Sequence, residues 1–130
     1  MNAPKGAHLH ICHVSTSGSA ALIADAKAKG LSVTAETCPH YFIFDEDKLE
    51  TRDADYRMNP PLRSARDREA IEQALLNGTI DVIATDHAPH TPTDKQDFLK
   101  APNGVIGMEP SFSASYTALV ATGKLSLSEL

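Results

Sequence analysis

Cysteine is scarce: Cys12 and Cys38 are the only two in 130 residues. That is too few for a disulfide framework and fits a reducing cytoplasm. Basic charge is also short, because 12 Lys+Arg against 17 Asp+Glu leave a formal net charge of −5. No strongly basic face is therefore expected for nucleic-acid phosphates. No apolar run approaches the roughly 18 residues of a membrane span. Internal repeats, low-complexity tracts and polybasic runs are missing as well. The opening Met1-Asn-Ala-Pro-Lys-Gly lacks the apolar core of an export signal, so a cytoplasmic protein is expected, with neither nucleic-acid nor membrane partners.

What is present is an ordinary globular balance, 42% hydrophobic and 22% charged, at a length that suits one domain. Leu9 to Val14 reads as a strand. The turn Ser15-Thr-Ser-Gly-Ser19 leads into a helical run, Ala20 to Lys29, and Gly30 stands where a helix C-cap glycine would. Ser32 to Cys38 reads as a second strand, ended by Pro39. Tyr41 to Met58 has no clear period and reads as loop with a short helix. Asn59-Pro60-Pro61 excludes regular helix, since each proline pushes the preceding residue into extended geometry. Arg66 to Leu76 has helical spacing, with Asn77-Gly78 as its stop signal. Thr79 to Thr85 is the strongest strand pattern, and Ser111 to Thr122 is a last helix.

Strand and helix alternate, which implies parallel strands joined by crossover helices. The polar, proline- and histidine-rich residues follow the strands' C-terminal ends, the rim on which (β/α) barrels build active sites. A complete (β/α)8 barrel takes roughly 250 residues, and about three units are present here. Three parallel strands leave two open edges and an uncovered face. The expectation is an α/β protein forming part of a TIM barrel, with residues 1–130 one fragment of a single barrel domain and no second domain. By itself such a piece must assemble with other chains.

Six histidines are many for this length. Along a strand side chains alternate, so His13 is expected beside Leu9 and Ile11, and His8, His10 and Cys12 on the other side. His8 and His10 then read as a helix-facing or partly solvated pair. His13, at the strand's end, is either a metal ligand or a satisfied histidine. Asp86 begins Asp86-His-Ala-Pro-His90 at the end of the strongest strand. A carboxylate there can ligate a metal and exchange a proton with metal-bound water, or it caps a helix. His87 is expected on the opposite face, in a structural role. His90 can reach over the rim toward a substrate carboxylate. His40 either orients a ligand or packs in the core. Asn59, held before two prolines, suits a preorganised amide for an imide-like ring. Arg63 is either an anion clamp or a structural pin. Arg66-Asp-Arg-Glu69 reads as a solvated helix face, and both cysteines as inert small hydrophobes.

Five stretches carry a family resemblance: His10-Ile-Cys-His-Val-Ser-Thr16, Thr34-Ala-Glu-Thr-Cys-Pro-His-Tyr-Phe42, Met58-Asn-Pro-Pro-Leu-Arg63, Gly78-Thr-Ile-Asp-Val-Ile-Ala-Thr-Asp-His-Ala-Pro-His90 and Ala101-Pro-Asn-Gly-Val-Ile-Gly-Met-Glu109. In this order and at these intervals they resemble class I dihydroorotase, of the cyclic amidohydrolase group in the metal-dependent amidohydrolase superfamily. The resemblance implies a metal-centred (β/α)8 barrel, here its sixth to eighth strands. It implies that His13 and Asp86 are metal ligands and that Asp86 is the general acid/base. It further implies that Asn59, His90, Asn103 and Gly104 hold the substrate, with His90 at its carboxylate.

The implied reaction is the reversible interconversion of L-dihydroorotate and N-carbamoyl-L-aspartate in pyrimidine synthesis. The implied cofactor is zinc, one or two ions in the complete enzyme. The implied partners are the small-molecule substrate, further copies in a homo-oligomer, and aspartate transcarbamoylase for the parent. The family's first-strand His-x-His, the ligands of its fourth and fifth strands and the arginine after the first-strand pair have no counterpart among these residues. Two protein ligands fall short of the three usual for catalytic zinc, so the chain alone is expected to bind metal weakly and to be inactive. Allantoinase and hydantoinase/dihydropyrimidinase share part of the pattern, while Asn59 and His90 favour dihydroorotase. A non-catalytic scaffold homologue is the alternative from another class.

Overall fold

Three short strands lie parallel in the order β1–β2–β3, with Leu9–Ile11 as β1, Val33–Thr37 as β2 and Val82–Ile83 as β3. The structure is a computed structural model and describes residues 6–130. Met1 to Lys5, on which the expectation about an export signal rests, lie outside the described residues. The central strand pairs on both edges, Leu9 opposite Val33 on one side and Glu36 opposite Val82 on the other. Helices α1 (Ser17–Ala28), α2 (Pro39–Ile43), α3 (Ala65–Leu76) and α4 (Ser111–Ser115) connect and cover the sheet on one face. Ile23, Ala35, Phe42, Ile71 and Leu119 form the core between the layers. The other face carries His8, His10, Cys12, Thr34 and Glu36, has no helical cover, and is exposed or half-exposed.

Local chemistry explains the element ends. Thr16 caps α1, its hydroxyl accepting the Ser19 N–H at 3.2 Å. The helix closes on Gly30 at φ +70°, with Leu31 N bonded to Ala26 O at 3.1 Å and Gly30 N to Lys27 O at 2.9 Å. That crossed pair of bonds needs a left-handed residue, which glycine supplies without steric cost.

Three expectations change. The segment after the second strand is mostly helical, with α2 starting at a proline and two 3₁₀ turns at Glu46–Thr51 and Ala54–Tyr56. The strand expected over Thr79 to Thr85 shrinks to two residues. Ile80 turns into the helix layer and bonds Ala74 O at 2.9 Å, and only one partner strand is present among the described residues. The last helix widens after Ser115 into a π turn over Tyr116–Val120.

The Arg66–Glu69 run is not merely solvated. Asp67 Oδ1 accepts Ser17 N at 2.8 Å and Ser17 Oγ at 2.7 Å, and Oδ2 accepts Ser64 Oγ at 2.8 Å. Arg68 Nε lies 3.2 Å from Asp45. Asp67 thus joins the starts of α1 and α3 and steadies the turn that follows β1. The bonds from Ser17 hold its carboxyl below the usual range. We expect Asp67→Ala to lower the unfolding free energy by about 1–2 kcal/mol in urea at pH 7. Because the folded pKa lies below the unfolded one, this contribution is present above the ordinary carboxylate range and is lost as pH falls through the lower folded value. The gap between wild type and variant should therefore narrow in acid.

Candidate functional site

Parallel strands deliver their C-terminal ends to one edge, and there His13 follows β1 and Asp86 follows β3. His13 Nε2 lies 3.8 Å from Asp86 Oδ1. Both residues have left-handed backbones, φ +54° at His13 and +45° at Asp86. For residues other than glycine that conformation costs roughly 1–3 kcal/mol and persists only where surrounding structure imposes it. The imposing bonds are Val14 N to Glu36 O at 2.9 Å, Thr37 Oγ1 to Val14 O at 2.7 Å, and Ala84 N to Thr37 O at 2.8 Å.

The left-handed turn overturns the expected facing of His13. Alternation stops at residue 13, and the imidazole swings onto the side of His10. His13 Nδ1 and His10 Nε2 both meet one carboxylate, Glu36, at 3.1 Å and 3.2 Å. Of the two readings of His8 and His10, the structure gives the partly solvated one, since both are exposed and neither faces the helices. They line the uncovered face and bond Ser32 and Thr34.

Two further groups complete the setting. His40 is buried, packs edge-on against Tyr41, and points Nε2 at Asp86 Oδ2, 3.9 Å away. That nitrogen is buried without a hydrogen-bond partner. Burial lowers the His40 pKa to about 4, against an opposing pull from Asp86, so the ring is neutral at pH 7. Cys38 Sγ lies 3.7 Å from His13 Nδ1, and His13, Cys38 and Asp86 could place their ligand atoms within 4.8 Å of one another. Burial first, then the charges of Asp86 and Glu36, push the Cys38 thiol up to about 12, so it stands there protonated.

These residues fit a metal ion. The 3.8 Å between His13 Nε2 and Asp86 Oδ1 is too long for a hydrogen bond. Two ligand atoms each about 2.1 Å from a tetrahedral zinc lie roughly 3.4 Å apart. Imidazole plus carboxylate is a donor set for a divalent ion with open positions, and the orphaned His40 Nε2 faces the same carboxylate.

His90, Asn103 and Gly104 come together beside this edge. His90 Nε2 is 3.0 Å from Asn103 O. Gly104 has φ +145°, and a β-carbon there would overlap the Ala88 carbonyl and press on His90 Nε2. Asn59 and Asn103 line a cleft of about 370 Å³ with Arg57, Met58 and Phe98; neither His13 nor Asp86 lines it. His87 turns away, its Nδ1 accepting Gly107 N at 3.2 Å and Met108 N at 3.1 Å. The Arg63 guanidinium has a buried Nε with no partner.

Lys95 escaped the sequence reading. Its Nζ donates to the carbonyls of Ala54, Arg57, Pro102 and Gly104 at 2.7–3.3 Å, joining the segment before Asn59 to the loop of Asn103 and Gly104. Glu36 joins this site too, and its signal in the sequence is a carboxylate between Ala35 and Thr37 in a short strand. Cys38 and His40 follow two and four residues later.

No protein-family model matches the chain. Solved structures do. The dihydropyrimidinase from Brevibacillus agri superposes with a TM-score of 0.87 at 34% identity, over 95% of this chain and 28% of that one. The L-hydantoinase (dihydropyrimidinase) from Arthrobacter aurescens gives 0.88 at 35%, over 96% and 29%. The architecture is accordingly part of a TIM barrel of the cyclic amidohydrolase class. Among curated proteins, the dihydroorotase of a Geobacillus species is 50% identical over 126 residues, 96% of this chain and 30% of its own length. The Staphylococcus epidermidis dihydroorotase is 51% identical over the same shares. Within that class, the curated relatives that the chain matches are dihydroorotases. The chain spans about 30% of the length of the relatives it matches.

Gly104→Ala combines a disfavoured φ with a clash against backbone. It should cost about 1–3 kcal/mol and shift the His90 side-chain resonances in an NMR spectrum while leaving those of His8 in place.

Proposed function

We propose that residues 1–130 form one piece of a single barrel domain of a metal-dependent dihydroorotase. The whole barrel would interconvert L-dihydroorotate and N-carbamoyl-L-aspartate in pyrimidine biosynthesis. The convergence of His13 Nε2 and Asp86 Oδ1 at the C-terminal edge of the sheet, 3.8 Å apart, carries this reading. In it, His13 Nε2 and an Asp86 oxygen are protein ligands of a divalent ion, zinc by family resemblance. Bound there, such an ion supplies an acidified water and polarises the ring carbonyl.

The chain's own residues do the rest. Asp86 takes the proton from the attacking water and delivers it to the departing amide nitrogen, so one carboxylate serves both proton transfers. His40, neutral and buried against Asp86, keeps bulk water from that carboxylate without competing for its proton. Asn59 and the backbone at Asn103 and Gly104 hold the ring, and His90 donates to the substrate carboxylate. The His90–Asn103 bond ties that donor to the ring-binding loop. Substrate is a small molecule, and the partners we infer are further copies of the parent and aspartate transcarbamoylase. No helix among the described residues is long and apolar enough to cross a membrane; a cytoplasmic setting is part of the proposal.

Hydantoinase or dihydropyrimidinase chemistry is the second reading, favoured by the likeness in shape to those enzymes. An exchange experiment separates the two. This chain replaces the matching segment of the Staphylococcus epidermidis dihydroorotase, and the hybrid is assayed with dihydroorotate and with hydantoin. Retained turnover of dihydroorotate, lost by 10²–10⁴-fold or more (about the range for a general acid–base group) on Asp86→Asn, is expected. Turnover of hydantoin instead would overturn the proposal. The 130-residue chain alone should bind Zn²⁺ only weakly by calorimetry, because two protein ligands are fewer than the usual three; sub-micromolar affinity would contradict the ligand assignment.

A further inference from the structure

The uncovered face of β1 and β2 carries a ladder of side-chain hydrogen bonds from Ser32 to Glu36, and the Glu36 carboxylate stands in close contact with His13. Ser32 Oγ is 2.9 Å from His8 Nδ1, and His8 Nε2 is 2.7 Å from Thr34 Oγ1. Thr34 Oγ1 is 2.8 Å from His10 Nδ1. His10 Nε2 then meets Glu36 Oε2 at 3.2 Å, and Glu36 Oε1 meets His13 Nδ1 at 3.1 Å. The parallel register, His10 opposite Thr34, sets these partners side by side.

With neutral rings only one arrangement of protons satisfies every rung. A carboxylate only accepts, so both nitrogens facing Glu36 carry hydrogen. His10 Nδ1 is then bare and accepts from the Thr34 hydroxyl. Thr34 Oγ1 in turn accepts His8 Nε2–H, and His8 Nδ1 accepts from Ser32. At the other end, His13 holds its proton on Nδ1 and presents a bare Nε2 toward Asp86. A Cys38 thiol donating to the same Nδ1, 3.7 Å away, would put the ring proton on Nε2 instead, but the Glu36 carboxylate at 3.1 Å is the nearer and charged partner and favours Nδ1–H.

We propose that Glu36 is a positioning residue for the metal centre. It fixes the tautomer and ring orientation of His13 so that Nε2 is a ready ligand, with His10 and Thr34 bracing the carboxylate from behind. The inference rests on the reading of His13 and Asp86 as ligands and goes beyond it by naming the group that orients one of them. Carboxylates that orient a metal-bound imidazole typically change metal affinity 10–100-fold.

Two measurements test it. Nitrogen-15 NMR of the histidine rings in the metal-free 130-residue chain, at about pH 8.5 and so above the ordinary imidazole range, should report His13 protonated on Nδ1. A ring protonated on Nε2 would overturn the proposal without any variant. In the hybrid enzyme described above, Glu36→Gln puts an amide donor where the ladder needs an acceptor. It should weaken Zn²⁺ binding by about 10–100-fold, with Glu36→Asp recovering part of the loss. Unchanged affinity in Glu36→Gln, while His13→Ala and Asp86→Asn abolish binding, would overturn the positioning role and spare the ligand assignment. Unchanged affinity in His13→Ala and Asp86→Asn would instead overturn the ligand assignment and this inference with it.

Discussion

Strand β2 is bonded along both edges, and the site depends on that double pairing. On one side Val14 N and O are both held, by Glu36 O and by the Thr37 hydroxyl; on the other, Ala84 N is held by Thr37 O. These bonds lock the chain just after His13 and just before Asp86. Two left-handed residues flank one strand end, each in a conformation that costs energy when left to itself. A parallel sheet is suited to this, since its strands run the same way and end at one rim. The same strand then supplies Glu36 on the uncovered face, Cys38 at its end and His40 one turn later. One short segment therefore lies against both members of the pair, with Glu36 3.1 Å from His13 and His40 3.9 Å from Asp86.

The residue types announced the strands, the crossover helices and the placement of positions 13 and 86 at one edge of the sheet, because strand ends followed by polar, proline-rich turns mark a barrel rim. They did not announce which way His13 points. Alternation is a rule about extended backbone, and a single positive φ at residue 13 cancels it; nothing in the identity of a histidine encodes that sign. Asp67 looked solvated because its partners, Ser17 and Ser64, lie fifty positions and three positions away, and only the longer pairing gives it a structural role. Lys95 is the same case in sharper form, since its four carbonyl partners come from two distant loops. The third strand was overestimated because β-branched residues signal burial as well as pairing, and Ile80 is buried by helices rather than by a neighbouring strand.

Shape and sequence point to neighbouring members of one class for a physical reason. The sheet, its covering helices and the rim are what the barrel segment needs to fold, and they are shared by hydantoinases and dihydroorotases alike. Superposition at TM-scores of 0.87–0.88 is thus a statement about scaffold. What separates substrates on a shared fold is a handful of side chains on loops, and in the proposed reading these are Asn59 in its diproline turn and His90. The chain is 50–51% identical to the dihydroorotases and 34–35% identical to the hydantoinase-class structures.

The division of labour within a barrel follows from the same geometry. Barrel interiors are packed with side chains rather than open, so polar groups lining one must satisfy one another or be matched by neighbours across the lumen. The ladder from Ser32 to Glu36 is satisfied within this segment itself. Asp86 is different. It faces two imidazole nitrogens at 3.8 Å and 3.9 Å, neither close enough to bond it, and one of those nitrogens is buried with no partner. At the rim, the unsatisfied polar groups lie between His13, His40 and Asp86. In the proposed metal centre, a cation with its water held between the carboxylate and the two imidazoles would meet all three groups with few further demands on the protein.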